Sequence, residues 1–254
     1  MDTNHRDNRG KGLRRPKGTA GAEGAGRQAV IPNRELLERL LSYPLKERGV
    51  RETVEALIER FGGIRGVLDA TGEELGSVSG VGENTSVFLK LIKEVAVSYR
   101  RERLRGKDAI RHSRELLEYL CLATSGEKVE KFLAVYLNER NEVISIEVLY
   151  EGALNGTTIY PRKAIEKAFD LDARAVIFAH NHTSGEACPS GSDVRTMMAL
   201  DQAALSVKLI IHDHLIICKD TYFSARENGW IIGLTASFKR ARRGRGIPES
   251  SMRR

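Results

Sequence analysis

Two histidines one residue apart, followed at a fixed distance by a serine and an aspartate, make the most chemically loaded stretch of the chain: Ala179-His-Asn-His-Thr-Ser-Gly-Glu-Ala-Cys-Pro-Ser-Gly-Ser-Asp193. An apolar run over 173–179 predicts a buried strand that ends where the histidines begin. Side chains alternate faces along a strand, so His180 and His182 point the same way, within reach of one ion. A loop rich in Gly and Pro turns the chain back, and a helix is predicted from about Ser190 to Ser206. Asp193 falls in its first turn, from which its carboxylate can return to the strand end. Two imidazoles and one carboxylate are three ligands, and the open fourth position is what a catalytic Zn2+ requires. Each piece also has a plain explanation. A strand-end histidine pair can be polar surface, and Ser190-x-x-Asp193 is also a capping box, which needs no metal.

Two other constellations compete. His212-Asp-His214 repeats the His-x-His spacing on a predicted strand over 207–218. No Ser/Asp pattern follows it, so a core role or a role behind the metal ligands is expected, with a bond from Asp213 to a ligand histidine conceivable. A zinc deaminase is excluded: its His-x-Glu and Pro-Cys-x-x-Cys elements are not met, since His182 takes the glutamate position and Cys188 precedes Pro189.

These residues need a scaffold. The pattern predicts a helix over 113–123, strands over 131–137 and 143–150 joined by Asn138-Glu-Arg-Asn141, and a helix after Pro161. The strand, helix and strand already described follow. Helices alternating with strands give an α/β domain around a central sheet. Upstream, Leu36, Leu37, Leu40 and Leu41, then Val54, Leu57, Ile58 and Phe61, repeat at helical spacing. Thr71-Gly-Glu-Glu-Leu75 reads as a short capped helix, and Ser79-Gly-Val-Gly82 as a tight turn. A long helix from about Asn84 sets Val87, Leu91, Val95 and Ala96 on one face, and a charged connector over 100–107 follows it. The organisation is thus a disordered basic tail (1–30), a helical domain (31–105), an α/β domain (110–237) and a second basic tail (238–254).

The net charge of +7 sits in those tails: 1–30 holds seven Lys/Arg against three Asp/Glu, and 238–254 holds seven against one. The remainder is slightly acidic. Such tails offer nonspecific contact with DNA, or are simply solvated ends. Nothing at the N-terminus reads as a secretory leader, and no run of about 18 apolar residues suggests a membrane span. Three scattered cysteines do not make a disulfide framework, and the expected location is the cytoplasm.

The spacing His-x-His-x7-Ser-x2-Asp resembles, without gaps, the motif of the JAMM (MPN) metallopeptidases. That resemblance implies a zinc-dependent hydrolase acting on a peptide or isopeptide bond of a protein substrate. It also implies an upstream strand glutamate as general base, followed by a short apolar run and a glycine. Glu147-Val-Leu-Tyr-Glu-Gly152 fits; Ile144, Ile146 and Val148 share one strand face, and Glu147 lies on the other with Ser145. Glu151, four residues on, is the rival on that face. The resemblance gives Ser190 a part in stabilising the oxyanion.

Asn155-Gly-Thr-Thr, Pro161-Arg162, residues 173–182, Ser184-Gly185 and Asp213-His-Leu-Ile216 further resemble the bacterial RadC family over roughly 33–230. One departure is Thr183, where that family usually has proline. The implied architecture is a JAMM/MPN-type mixed sheet flanked by helices, preceded by a small helix-hairpin-helix domain around Gly80-Val81-Gly82. The RadC resemblance also implies an alternative function, a DNA-repair or recombination accessory protein whose zinc site is mainly structural. Gly80, Gly82, Lys90 and Lys93 would then face phosphates.

Overall fold

The computed structural model describes residues 31–47, 49–152, 161–219 and 221–230. The expected basic tails and the Asn155-Gly-Thr-Thr stretch lie outside them. All elements below belong to one compact unit beginning at Asn33.

Five helices come first: α1 (Asn33–Leu45), α2 (Val50–Phe61), α3 (Ile64–Asp69), α4 (Gly72–Gly76) and α5 (Glu83–Leu104). They bury a core of their own around Leu37, Leu41, Val54, Leu57, Val67, Leu75 and Leu89. The short α4 is held by the expected capping box, with Thr71 and Glu74 each bonding the other's backbone N–H. At the turn before α5, Gly80 has φ +86°, and a Cβ there would run into Thr53 Oγ1; both demands favour glycine.

The long helix differs from its sequence reading in two ways. It continues to Leu104, so Arg100–Arg103 are helical and Arg100 pairs with Glu118. It also buries Leu89 and Lys93 and leaves Val87, Leu91 and Val95 outside. Both faces carry apolar residues, and the row of Val87, Leu91 and Val95 read from the sequence is the outer one.

The second part comprises α6 (Ser113–Thr124), β1 (Glu130–Leu137), β2 (Val143–Gly152), α7 (Pro161–Asp170), β3 (Ala175–Asn181), α8 (Gly191–Ser206), β4 (Ile210–Cys218) and β5 (Thr221–Ser224). The strands form one mixed sheet in the order β2-β1-β3-β4-β5. Only β3 and β4 run parallel, joined through α8. Alternation divides the strand residues between two cores. Phe132, Ala134, Tyr136, Val176 and Phe178 pack with α7 and α8 on one face. Leu133, Val135, Leu137, Ala175, Ile177 and Ala179 pack with α6 and Leu104 on the other.

Two junctions tie the helical part to the sheet. Lys93, almost fully buried, pairs with Asp69 at 3.0 Å and donates to the Ser125 carbonyl, while the Ser125 hydroxyl bonds Asp69 at 2.7 Å. Gly126, at φ +67°, allows the Asp69 backbone to come this close. At the second junction, the segment after α5 lies along the start of β2. Gly106 N–H donates to Val143 O, Val143 N–H to Lys107 O, and Ala109 N–H to Asn141 O, at 2.8–2.9 Å.

Candidate metal centre

β3 runs through His180 to Asn181, two residues further than the apolar run indicated, and His182 N–H still donates to Ile217 O of β4. The backbone at His180 is therefore fixed by pairing with β1 and β4, and that at His182 by its bond to β4. His180 lies on the face covered by α8, packed against Phe132 with ring centroids 5.8 Å apart. Between the two ligands, Asn181 anchors the strand end: its side-chain oxygen accepts from Lys131 N–H at 2.7 Å and its amide donates to Val129 O. Sequence reading passed over this residue; a polar residue ending an apolar strand was the available signal.

Across from them, α8 opens on Ser190. Its hydroxyl accepts from Asp193 N–H, and the Asp193 carboxylate accepts from Ser190 N–H at 2.7 Å, so the capping box is formed. Ser190 Oγ also lies 2.6 Å from Asp193 Oδ2. A carboxylate only accepts, so the single hydroxyl proton goes to Asp193, and Ser192, 2.8 Å away, donates to Ser190 in turn. Ser190 thus holds the carboxylate that faces the histidines, and its proton is directed there rather than outward.

The three predicted ligands meet. His180 Nε2 and His182 Nε2 are 3.1 Å apart; the Asp193 oxygens lie 3.4 Å from the first and 3.2 Å from the second. Zn–N and Zn–O bonds of about 2.0–2.2 Å around a tetrahedral ion put neighbouring ligand atoms about 3.3–3.5 Å apart. The two imidazole nitrogens and the nearer carboxylate oxygen of each pair are separated by distances of this order, and one atom from each of the three residues lies within 4.8 Å of the others. His182 Nδ1 lies 3.0 Å from Glu186 O and must donate to it, which leaves Nε2 as the nitrogen that can carry a lone pair. Among the described residues this is the group with metal-binding composition and spacing.

The electrostatics agree. Burial alone would raise the Asp193 carboxyl, but hydrogen bonds from His180 and His182 outweigh it and hold it far below the usual carboxylate range. The hydrogen bond to Asp193 lifts the His182 imidazole above its ordinary value against burial. Three electron-rich groups, His180 and Asp193 among them almost wholly buried, are thus arranged to share positive charge.

Glu147 stands apart from this group. Strand register places it beside Ala134, which pairs with Phe178, so it shares the face of His180 from two strands away and two rungs nearer the hairpin. Strand geometry makes that about 12 Å between Cα atoms. Its carboxylate accepts from Ser145 Oγ at 2.7 Å and lies 3.6 Å from Lys167 Nζ of α7. Glu151 is not on that face. A bulge inserts Leu149 between the Val148 and Tyr150 pairings, so Glu151 pairs with Lys131 on the opposite side, their charges 3.3 Å apart.

The second His-x-His is broken in the same way. β4 carries one extra residue, His212, between the rungs of Ile211 and Asp213. His212 Nε2 bonds Asn141 at the far end of the sheet, while His214 is buried beneath His180, edge-on at 5.7 Å. Burial pushes the His214 imidazole well below its ordinary value. Asp213 accepts from His214 N–H, Ser224 Oγ and Arg226 N–H, so the conceivable bond to a ligand histidine is not made.

Residues 110–230, which contain every residue of this site, match the RadC-like JAB domain. The chain is 33% identical over 203 residues to a UPF0758 protein of Nitrosospira multiformis, covering 80% of this chain and 91% of that one. To a UPF0758 protein of Fusobacterium nucleatum it is 33% identical over 204 residues, 78% and 88% of the two chains. This chain belongs to the RadC family. The five-stranded mixed sheet flanked by helices is the JAB/MPN-like part of this RadC protein, and the helical region precedes it. Within the RadC-like domain, β3 supplies His180, the residue just past its end is His182, and the first turn of α8 supplies the aspartate.

Proposed function

We propose that this protein is a zinc-dependent hydrolase that cuts a peptide or isopeptide bond in a protein substrate, and that it works in the cytoplasm. The observation that carries this reading is the convergence of His180 Nε2 and His182 Nε2, 3.1 Å apart, on the Asp193 carboxylate, whose Oδ1 lies 3.4 Å from the first and Oδ2 3.2 Å from the second. When bound, zinc would supply a nucleophilic water near neutral pH and polarise the scissile carbonyl. Glu147 accepts the proton of the attacking water and delivers it to the departing amine. A general base reaches the site through that water, which accords with its place on the same face but outside the ligand group. Ser145 donates to the Glu147 carboxylate and Lys167 lies beside it, which fixes its position on that face. Ser190 acts through Asp193, fixing the direction of the ligand oxygen. The cytoplasmic assignment is supported by Cys121, Cys188 and Cys218, all free thiols, and no described helix is long and apolar enough to cross a membrane.

The test is metal analysis of the purified protein together with an unbiased peptidase screen, repeated on Glu147→Gln. About one zinc per chain and an activity lost in the variant is the expected result. Iron in place of zinc, or cleavage untouched by the substitution, sinks the assignment. Contact with DNA, in this reading, belongs to the tails. Lys90 Nζ donates to the Ala70 carbonyl and Lys93 is buried against Asp69, so neither ammonium is directed at a phosphate. A chain of residues 31–237 should bind duplex DNA far more weakly than the full chain at physiological salt; equal binding would favour the repair-factor alternative.

A further inference from the structure

The outer face of α5 is the largest feature that the hydrolase reading leaves unused. Val87, Leu91, Val95 and Tyr99 are 60%, 56%, 59% and 62% exposed, opposite the buried Leu89 and Lys93. They follow one another at four-residue intervals, which makes a continuous ridge about 18 Å long. Single exposed apolar residues are ordinary, but four in a row on one helix form the kind of patch that a monomer rarely leaves in water. The same row extends to Glu83 at the start of the helix and to Arg103 at its end, both exposed.

We propose that this ridge is a dimer interface, covered by a second copy of the chain packed antiparallel. Two properties of the row select that occupant. The four apolar residues are disposed evenly about position 93, so a two-fold axis there sets Leu91 of one copy against Val95 of the other and Val87 against Tyr99. The ends of the row carry opposite charges, and only an antiparallel copy brings each Glu83 end towards an Arg103 end. The helix dipoles then also oppose each other. Rows spaced by four residues interlock at a crossing of about 50° between axes, and a patch complementary to itself gives a closed pair rather than a chain of copies. The metal centre lies in another part of the fold, so this inference stands or falls independently of the proposed activity.

The experiment is sedimentation equilibrium on the full chain from about 1 to 100 μM, with far-UV circular dichroism as the control for folding. The wild type should dimerise. Leu91→Glu, at an exposed position, should stay folded and weaken association by about 100-fold or more. Glu83→Arg should weaken it less, and adding Arg103→Glu should restore it by exchanging the charged ends. A wild-type monomer throughout the range, including one in which residues 231–238 cover the ridge, overturns the proposal. A dimer indifferent to Leu91→Glu overturns it as well, and failure of the double exchange to restore association removes the antiparallel arrangement.

Discussion

Two copies of the same short pattern, His180-x-His182 at the end of β3 and His212-x-His214 on β4, meet opposite fates one strand apart. On β3 the pairing is regular up to the strand end, and the backbone of His182 remains bonded to β4. Alternation therefore holds, and the two rings come to 3.1 Å. On β4 the extra residue falls on the first histidine of the pair. One ring is sent to Asn141 and the other into the core. The difference teaches that a two-residue spacing makes a chelating pair only where the ladder is unbroken, and a bulge is a property of cross-strand register.

The comparison can be broken most directly by removing one ring from each pair. His182→Ala should weaken metal binding more than about 100-fold, beyond the usual effect of losing a group that only supports a ligand. His214→Ala should keep the metal but lower the stability of the metal-free protein by about 2–4 kcal/mol, because it leaves a cavity beneath His180. Metal titration and denaturant unfolding of both variants decide it; the reverse pattern would mean that the wrong pair was chosen.

The two acids on β2 offer the same contrast across a bulge. Glu147→Gln should retain zinc and fold while losing about 10²–10⁴-fold in turnover, since an amide cannot take the proton. Glu151→Gln should change turnover little, its partner being Lys131 on the other face. Steady-state kinetics on one cleaved peptide, with zinc content measured in parallel, compares them.

Supporting contacts come next. Ser190→Ala removes a proton donor from Asp193 and the cap of α8. Zinc affinity should fall about 10–100-fold, with about 1 kcal/mol of stability lost. An unchanged affinity in a chelator competition would show that Asp193 needs no such hold.

The smallest effect is in pH. A ligand imidazole must shed its proton, and His182 is raised by Asp193, so zinc affinity should begin to fall as pH drops from above the ordinary imidazole value of about 6.5. In the metal-free protein the signs follow from the same two shifts. The raised His182 stabilises the fold below about 6.5, and this is lost as pH rises through its folded value. The depressed Asp193 stabilises it above about 3.9, and this is lost on acidification towards its folded value. Both contributions are present together between about 4 and 6.5. A melting-temperature profile of chelated protein that is flat across this window and above it would contradict the pairing.

Much of the site was legible because its parts obey local rules. Strand alternation placed His180 with His182, the capping pattern placed Asp193 in the first turn of a helix, and alternation again put Glu147 with Ser145. What could not be read were the breaks in register, among them the bulges at Leu149 and His212. Each is fixed by partners on another strand, and neither is marked by glycine. The outward ridge of α5 was illegible for a different reason. With apolar residues on both sides of the helix, periodicity cannot choose between them, and the choice was made by Lys93 finding Asp69 and Ser125.

The segment between α5 and α6 has a practical consequence. Residues 105–109 cover the backbone at the start of β2, an outer strand of the sheet, and Leu104 fills a place in the core beneath α6. Cutting the chain at residue 110, where the family match begins, would strip both away. It would uncover unpaired backbone groups at Asn141 and at Val143 on the outer edge of β2, a template for strand-to-strand aggregation. Preparations of the isolated sheet domain should therefore precipitate where the chain from residue 31 stays in solution.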